Sequence, residues 1–172
     1  MMRFLEALQG RRSIRTYQDR PVPPELLSSL IQAGEMAPSA GNLRARRYVI
    51  VRKPDLIKAL SLAAYNQKQV ETAPVLIVVC ADEPRSGSRY GDRGSLYSIQ
   101  DATAAVMCIL LSAYDMGLGA CWNGAFDDDL CREILDLEEG VMPVAIISLG
   151  WSTSRPSPPP GRDLEEIVRW VD

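Results

Sequence analysis

The amino-acid sequence predicts an α+β fold in one domain, residues 1–172, on three observations. Two continuous apolar runs, 75–80 and 144–150, are rich in β-branched residues and indicate buried strands. A long stretch from 95 to 116 is small or apolar over most of its centre and indicates a helix buried on all sides. Helical and extended segments are interspersed without the regular crossover spacing of a doubly wound sheet, which favours α+β.

In the first half of the chain, proline and apolar spacing mark the helices. Phe4, Leu5 and Leu8 recur at helical spacing, and Pro23 and Pro24 suit a first helical turn, where a proline loses no hydrogen bond. The expected elements are a helix over 2–9, a helix from 23, a turn at 38–42, a strand at 48–51, a helix from 54 to about 64, a helical turn at 66–71 and the strand at 75–80.

In the second half, residues 82–94 change character, because three glycines alternate there with arginines. We expect a polar loop that is either a lid over a pocket or a mobile surface loop. The later elements are the helix over 95–116, a turn into a strand at 117–122, a helix over 129–135 capped by Asp127 or Asp128, and the strand at 144–150. Four prolines then predict an extended arm over about 152–163, and the tail 164–172 carries apolar residues suited to clasping another subunit.

Composition excludes several classes of function. The chain has no His, and its four Cys form no Cys-x-x-Cys pair, which excludes imidazole-based catalysis and a zinc site, so no metal is expected. A net charge of −3 argues against a nucleic-acid partner. No run approaches the ~20 uninterrupted apolar residues of a membrane span. Because Glu6 stands where a signal peptide needs apolar residues, we expect a cytoplasmic protein without a membrane partner.

The stretch Arg11-Arg12-Ser13-Ile14-Arg15 is the first candidate for binding chemistry. Guanidinium groups match planar, multi-oxygen anions such as phosphate, and a Ser hydroxyl adds a small donor. Taken alone, a short basic run is more often a solvated turn, so both interpretations stay open at this point. No glycine-rich dinucleotide fingerprint and no P-loop is present. With few residues suited to acid–base work, an enzyme of this composition would borrow its reactivity from a cofactor.

Four motifs occur in order along the chain: RRSIR at 11–15, APSAGN at 37–42, NQKQV at 66–70 and GLGACWNGAF at 117–126. Together they resemble the nitroreductase family of FMN-dependent NAD(P)H oxidoreductases, over essentially the whole chain and in the short form of the family. The resemblance implies a central, mostly antiparallel sheet flanked by helices and a long buried central helix. It also implies a homodimer that exchanges C-terminal arms and holds two FMN molecules at its interface.

The resemblance further implies which residues contact FMN. The first motif would meet the phosphate, the ribityl chain and the pyrimidine edge, and the 38–42 loop of the other subunit would line the flavin. Asn66 would bond the pyrimidine edge, Gly124 and Ala125 would present backbone N–H groups near the flavin N5 and O4, and Arg162 would complete the phosphate clamp. The implied cofactor residues are Arg11, Arg12, Ser13, Arg15, Pro38, Ser39, Ala40, Gly41, Asn42, Asn66, Gly124, Ala125 and Arg162.

One departure from the family pattern concerns the substrate side. The family often carries Gln two residues after the Asn of the second motif, followed by Pro and an aromatic residue, whereas this chain has Asn42-Leu43-Arg44-Ala45. We expect Arg44 either to lie near the flavin or its acceptor, where it would favour anionic substrates or the anionic reduced ring, or to face solvent. Tyr90 and Trp122 are the other candidate substrate contacts.

The activity implied by the resemblance is electron transfer from NAD(P)H to a small organic acceptor, such as a nitroaromatic or a quinone, in a ping-pong cycle. The chemistry would take place at FMN N5, so no catalytic side chain is expected. Two alternatives stay open: a specialised relative that dehalogenates a substrate or transforms the flavin itself, and a non-catalytic flavin-binding dimer. A nucleic-acid module built on Arg44, Arg46 and Arg47 is disfavoured by the negative net charge.

Overall fold

The computed structural model describes residues 4–171, so residues 2 and 3 of the first predicted helix lie outside the described part. Its sheet has the strand order β1-β2-β4-β3, and all three pairings are antiparallel. The strands are β1 (Arg46–Val51), β2 (Val75–Asp82), β3 (Gly119–Asn123) and β4 (Val141–Gly150). The helices are α1 (Phe4–Gly10), α2 (Pro24–Glu35), α3 (Pro54–Ala63), α4 (Lys68–Glu71), α5 (Glu83–Tyr90), α6 (Gly94–Asp115) and α7 (Asp128–Leu135). The α+β prediction is confirmed.

Strand β2 lies at the centre of the core because helices cover both faces of the sheet. All eight of its residues are buried, and successive side chains point to opposite faces. Ile77 and Val79 pack with α2 and α6 on one face, while Leu76 and Val78 pack with α3, α4 and α7 on the other. Burial raises the pKa of the Cys80 thiol to about 12, so Cys80 stays protonated, as expected of an inert core cysteine.

Helix α6 crosses the sheet as the longest helix, and its 22 residues give it a length of about 33 Å. Ala102, Val106 and Ile109 bury one face against the sheet. Burial on all sides, as the sequence predicted, is not found within one protomer: Leu96 and Ile99 remain 46% and 38% exposed. By length and composition alone the continuous helical segment Glu83–Asp115, which ends with α6, could cross a membrane, but in the fold α6 packs as a core helix.

The predicted loop at 82–94 is wrong, because this segment is helical. The Asp82 side chain accepts a hydrogen bond from the Arg85 N–H and caps α5, and Pro84 occupies the first turn. A short 3₁₀ turn, Gly91–Arg93, then leads directly into α6. A Cβ atom at Gly94 would lie 2.5 Å from the Cα atom of Gly87, so at this position glycine permits close helix packing rather than loop mobility.

Two matched glycine substitutions test this packing. Gly94→Ala is expected to lower the free energy of unfolding by about 1–3 kcal/mol, because the added methyl group meets backbone. Gly87→Ala adds the same methyl group where nothing lies within 4 Å, and it is expected to stabilise α5 by about 0.5–1 kcal/mol. Urea unfolding of both variants measures the difference. Equal effects of the two changes would contradict the close contact between α5 and α6.

Candidate functional site

Backbone strain is concentrated in two loops. Five non-glycine residues with positive φ fall within the described part of the chain, and four of them are Asn42, Arg44, Tyr65 and Asn66. Such conformations are unfavourable for residues other than glycine and persist where the surrounding structure enforces them, which is common at binding sites. These two loops carry the second and third motifs of the sequence.

The first, third and fourth motifs meet along the outer edge of β3, in what we call the β3-edge cluster (residues 11–15, 66–69 and 120–125). Ser13 forms a parallel bridge with Ala120, and the Ile14 N–H donates to the Ala120 carbonyl at 3.0 Å. The Gln67 side-chain amide donates to the Ala125 carbonyl at 2.7 Å. Segments far apart in the chain are therefore brought together beside one strand.

A network of buried polar side chains holds the β3-edge cluster in place. The Gln69 amide donates to Asn123 Oδ1 at 2.8 Å, and the Asn123 amide donates to the Ile146 carbonyl at 2.7 Å and to Ser148 Oγ at 3.2 Å. The Tyr17 hydroxyl lies 2.9 Å from the same Ser148 oxygen. Burial raises the pKa of Tyr17 far above its usual value, so the phenol stays neutral. The sequence reasoning missed these supporting residues, although Asn123 and Gln69 lie inside two of the motifs.

Residues of the first motif make two kinds of contact. Burial raises the pKa of the Cys121 thiol, and the charge of Arg15, a hydrogen bond from Ser13 and the charge of Arg11 act in the opposite direction, so these three residues lie close to Cys121. Arg12 turns back instead, and its Nη1 donates to the Gln9 and Arg11 carbonyls, both at 2.7 Å. Arg12 therefore contributes to the shape of this segment.

The arginines of the first motif also carry unused donors. The Nε atoms of Arg11 and Arg12 are buried and make no hydrogen bond with any described residue. Both residues line a cavity of about 460 Å³ that Tyr114 and Arg155 border from the other side. A buried guanidinium donor without a partner is unfavourable, and an anionic group such as a phosphate would satisfy it.

The second motif lies elsewhere, in what we call the 38–44 loop. Asp101 of α6 holds its ends, since one carboxylate oxygen accepts from the Ala40 N–H at 2.9 Å and the other from the Ala45 N–H at 3.2 Å. Ser39 Oγ accepts from the Arg44 N–H at 2.9 Å. This loop borders a cavity of about 590 Å³, a volume typical of small-molecule sites.

Arg46 fixes the same loop from inside the protein. Its side chain is fully buried and donates to Glu35 Oε1 at 3.0 Å, the Ala37 carbonyl at 2.9 Å and the Asp101 carbonyl at 3.2 Å. Burial raises the pKa of Glu35, but hydrogen bonds from Arg46 and Tyr48 outweigh it and hold the pKa below its usual value. Sequence reasoning placed Arg46 only in a basic surface run, and it missed both Arg46 and Asp101 as supports of the loop.

The two clusters lie at opposite ends of α6 and at opposite edges of the sheet. Asp101 holds the 38–44 loop, whereas Tyr114 borders the Arg11 cavity. Tyr114 follows Asp101 by thirteen positions along the helix, which corresponds to about 20 Å. One protomer therefore does not bring the second motif together with the other three.

The remaining candidate residues lie in the 38–44 loop, in the β3-edge cluster or in the C-terminal arm. Arg44 lines the 590 Å³ cavity, and the Tyr90 hydroxyl packs closely over Gly41, so both belong to the 38–44 loop. Trp122 is 37% exposed on β3 and belongs to the β3-edge cluster. Arg162 lies in the arm, where every described residue from 153 onward is exposed. The structure does not bring Arg162 to either cluster of its own protomer.

Comparison with known proteins identifies the family. The model of the nitroreductase family matches residues 8–71 and 58–151. An NADH dehydrogenase of Thermus thermophilus is 34% identical over 190 aligned positions, covering 93% of this chain and 92% of that protein. An FMN reductase [NAD(P)H] of Bacillus subtilis is 28% identical, covering 97% of this chain and 73% of that protein.

A solved structure extends the likeness to the fold. The NADPH:FMN oxidoreductase of Vibrio harveyi, in complex with NAD⁺, superposes with a TM-score of 0.90 at 26% identity, covering 98% of this chain and 77% of that one. The family match spans most of the chain, and the four motifs lie within it. The chain belongs to the nitroreductase family.

Proposed function

We propose that the protein is an FMN-dependent NAD(P)H oxidoreductase that acts as a cytoplasmic homodimer and reduces a small organic acceptor, such as a nitroaromatic or a quinone. The observation that carries the proposal is the separation of the four motifs into two clusters about 20 Å apart along α6. Each cluster has polar groups suited to one side of a flavin. A flavin site with residues on both sides of the ring forms when the 38–44 loop of one chain meets the β3-edge cluster of a second chain.

Exposed apolar surface supports a homodimer. Leu96 and Ile99 leave an apolar strip on α6, and in the tail Leu164 and Trp170 are 68% and 84% exposed. Side chains of this size are rarely left uncovered together on a monomer. A two-fold axis would place the same surfaces of two chains against each other. It would also place the β3-edge cluster of each chain beside the 38–44 loop of the other. The arm beyond residue 155 would then wrap the partner.

The residues present fit FMN. Arg11, Ser13 and Arg15 all lie close to Cys121, and the unpaired Nε atom of Arg11 is a ready donor for phosphate. Gly124 is exposed beside Trp122, and a glycine backbone allows close approach to a planar ring. Asn66, held at a φ of 57° beside these residues, would present its side chain to the pyrimidine edge.

When bound, FMN would supply hydride transfer from NAD(P)H and onward reduction of the acceptor in a ping-pong order. The protein contributes position and charge: Arg11 and Arg15 favour negative charge on the ligand, and the buried network fixes the loops that carry Asn66 and Ala125. No His is available to donate a proton, so protons would come from solvent or substrate. Arg44, Tyr90 and Trp122 would face the acceptor.

Purification followed by a visible spectrum tests the proposal. We expect a yellow protein whose released chromophore has the mass of FMN, whose spectrum is bleached by NADH or NADPH without oxygen, and which turns over with menadione or nitrofurazone. Bleaching without turnover would indicate a specialised relative. A yellow protein that neither nucleotide bleaches would indicate a non-catalytic flavin-binding dimer. A colourless protein that does not bind added FMN would refute flavin dependence.

A further inference from the structure

Helix α5 directs arginines towards the 38–44 loop. Arg85 and Arg89 lie four residues apart, so they share one face of the helix. Arg85 Nε donates to the Leu43 carbonyl, and Arg89 Nη1 lies 3.5 Å from the Gly41 carbonyl. These contacts hold two guanidinium groups against the loop that the proposed function places at the flavin.

A third arginine is fixed beside them by aromatic rings. Arg93 Nε donates to the Tyr97 hydroxyl at 2.7 Å, and its guanidinium carbon lies 5.0 Å from the centre of the same ring. Tyr97 packs edge-on against Tyr90 at 4.9 Å, and the Arg89 guanidinium carbon lies 5.7 Å from the Tyr90 ring. The three arginines and two tyrosines thus form one array, which we call the α5 arginine array.

The positive charge of this array is not neutralised within the protomer. The ion pairs found among residues 4–171 use Arg46, Arg47 and Lys68, and none uses Arg85, Arg89 or Arg93. The Nη atoms of Arg85 and Arg93 make no hydrogen bond in that part of the chain, although both Nε atoms do. A guanidinium held at Nε presents its Nη donors outward in a fixed orientation, which suits phosphate oxygens.

We propose that the α5 arginine array binds the phosphate groups of the reducing dinucleotide. The inference rests on the proposed function, which places the neighbouring 38–44 loop at the flavin. A nicotinamide stacked on that flavin carries its phosphates away from the ring, and the α5 arginine array lies at the border of the loop with donors unused by the protein. The shared chemistry is phosphate recognition, through either the 2′-phosphate of NADPH or the pyrophosphate that both nucleotides contain.

The test uses the flavin-loaded protein and the double variant Arg85→Gln/Arg89→Gln. Calorimetric titration with NADP⁺ and with NAD⁺ gives dissociation constants, and steady-state assays give KM for NADPH and NADH. Loss of two charge-assisted contacts is expected to weaken nucleotide binding by about 10–100-fold and to raise KM by a similar factor, whereas a purely structural role in the 38–44 loop would lower the affinity for FMN instead. Arg52→Gln is the control, since Arg52 is also exposed but follows β1, outside the array.

Each result decides the inference. Weaker binding of NADP⁺ alone supports contact with the 2′-phosphate, and weaker binding of both nucleotides supports contact with the pyrophosphate. Equal affinities for the double variant, the control and the unaltered protein overturn the inference, as does an unaltered protein that binds neither nucleotide. If NAD(P)H does not bleach the flavin, the proposed reductase activity fails, yet titration with NADP⁺ still decides whether the array binds phosphate.

Discussion

Replacing Ile99 with glutamate is expected to separate the protomers and to abolish FMN binding. Ile99 lies on the uncovered strip of α6, where a partner chain would bury it. A carboxylate at this position would be desolvated without a counter-charge, which costs several kcal/mol at an interface. Because each flavin site would need two chains, loss of the dimer and loss of the flavin should occur together. Sedimentation should give a mass near 19.0 kDa rather than twice that value.

Leu130→Glu is the matched control for this change. Leu130 is also 38% exposed, but it lies on α7, which packs on the opposite face of the sheet from α6. The control should remain dimeric and yellow, because a carboxylate at this exposed position stays hydrated and its repulsion from the neighbouring Asp127, Asp128 and Asp129 is confined to the start of α7. An Ile99→Glu protein that stays dimeric and retains FMN would show that the strip on α6 is not the interface.

Arg46→Met should produce the largest loss of stability among single changes considered for this chain. It removes the guanidinium that donates to Glu35 and to the carbonyl groups of Ala37 and Asp101, although Glu35 keeps its hydrogen bond from Tyr48. Glu35, whose side chain is 36% exposed, is rehydrated, whereas each buried carbonyl left without a donor costs about 1–3 kcal/mol, so a total loss of about 3–5 kcal/mol is expected. For a protein of this length, that corresponds to a fall in Tm of roughly 6–20 °C. The 38–44 loop should also loosen, so FMN affinity should fall.

Arg47→Met separates this effect from a simple loss of charge. Arg47 precedes Tyr48 on the same strand, but its side chain is 45% exposed. It pairs with exposed Glu138 and with Asp82, whose side chain is 8% exposed and also accepts from the Arg85 N–H. We expect a loss of about 1–2 kcal/mol, because buried Asp82 loses Arg47 but keeps its bond from the Arg85 N–H, and we expect an unchanged FMN affinity. Thermal unfolding of both variants, with and without FMN, gives the comparison. Similar small effects for both would mean that Arg46 does not support the loop.

Much of the fold follows from local sequence signals. Proline at first turns, helical spacing and β-branched runs located the secondary structure to within a few residues, because these signals act over single helices and strands. The segment 82–94 was mispredicted because glycine usually signals a turn, whereas Gly94 serves a contact with Gly87 in a neighbouring helix. Only the three-dimensional packing distinguishes these two uses of glycine.

The candidate site could likewise be predicted from the sequence only in part. Its motifs are visible in the sequence because Arg11, Ser13 and Asn42 stand in a recognisable order, but their supports are not. Buried Arg46 and Asp101 resemble surface charges until the fold shows what encloses them. The apolar character of α6 is likewise visible, while the sequence does not show that one protomer leaves part of that helix uncovered. Long-range contacts decide each of these features.

Mixing two inactive variants tests most directly whether each flavin site is shared by two chains. Arg11→Glu damages the β3-edge cluster, Ala40→Glu damages the 38–44 loop, and neither homodimer should retain FMN. After mixed refolding, a dimer with one chain of each kind would combine the two intact halves at one of its sites. Sites shared between chains predict that FMN returns to about half of the sites in each mixed dimer. If mixed dimers form but stay colourless, while the unaltered protein refolded in the same way is yellow, the shared site is contradicted.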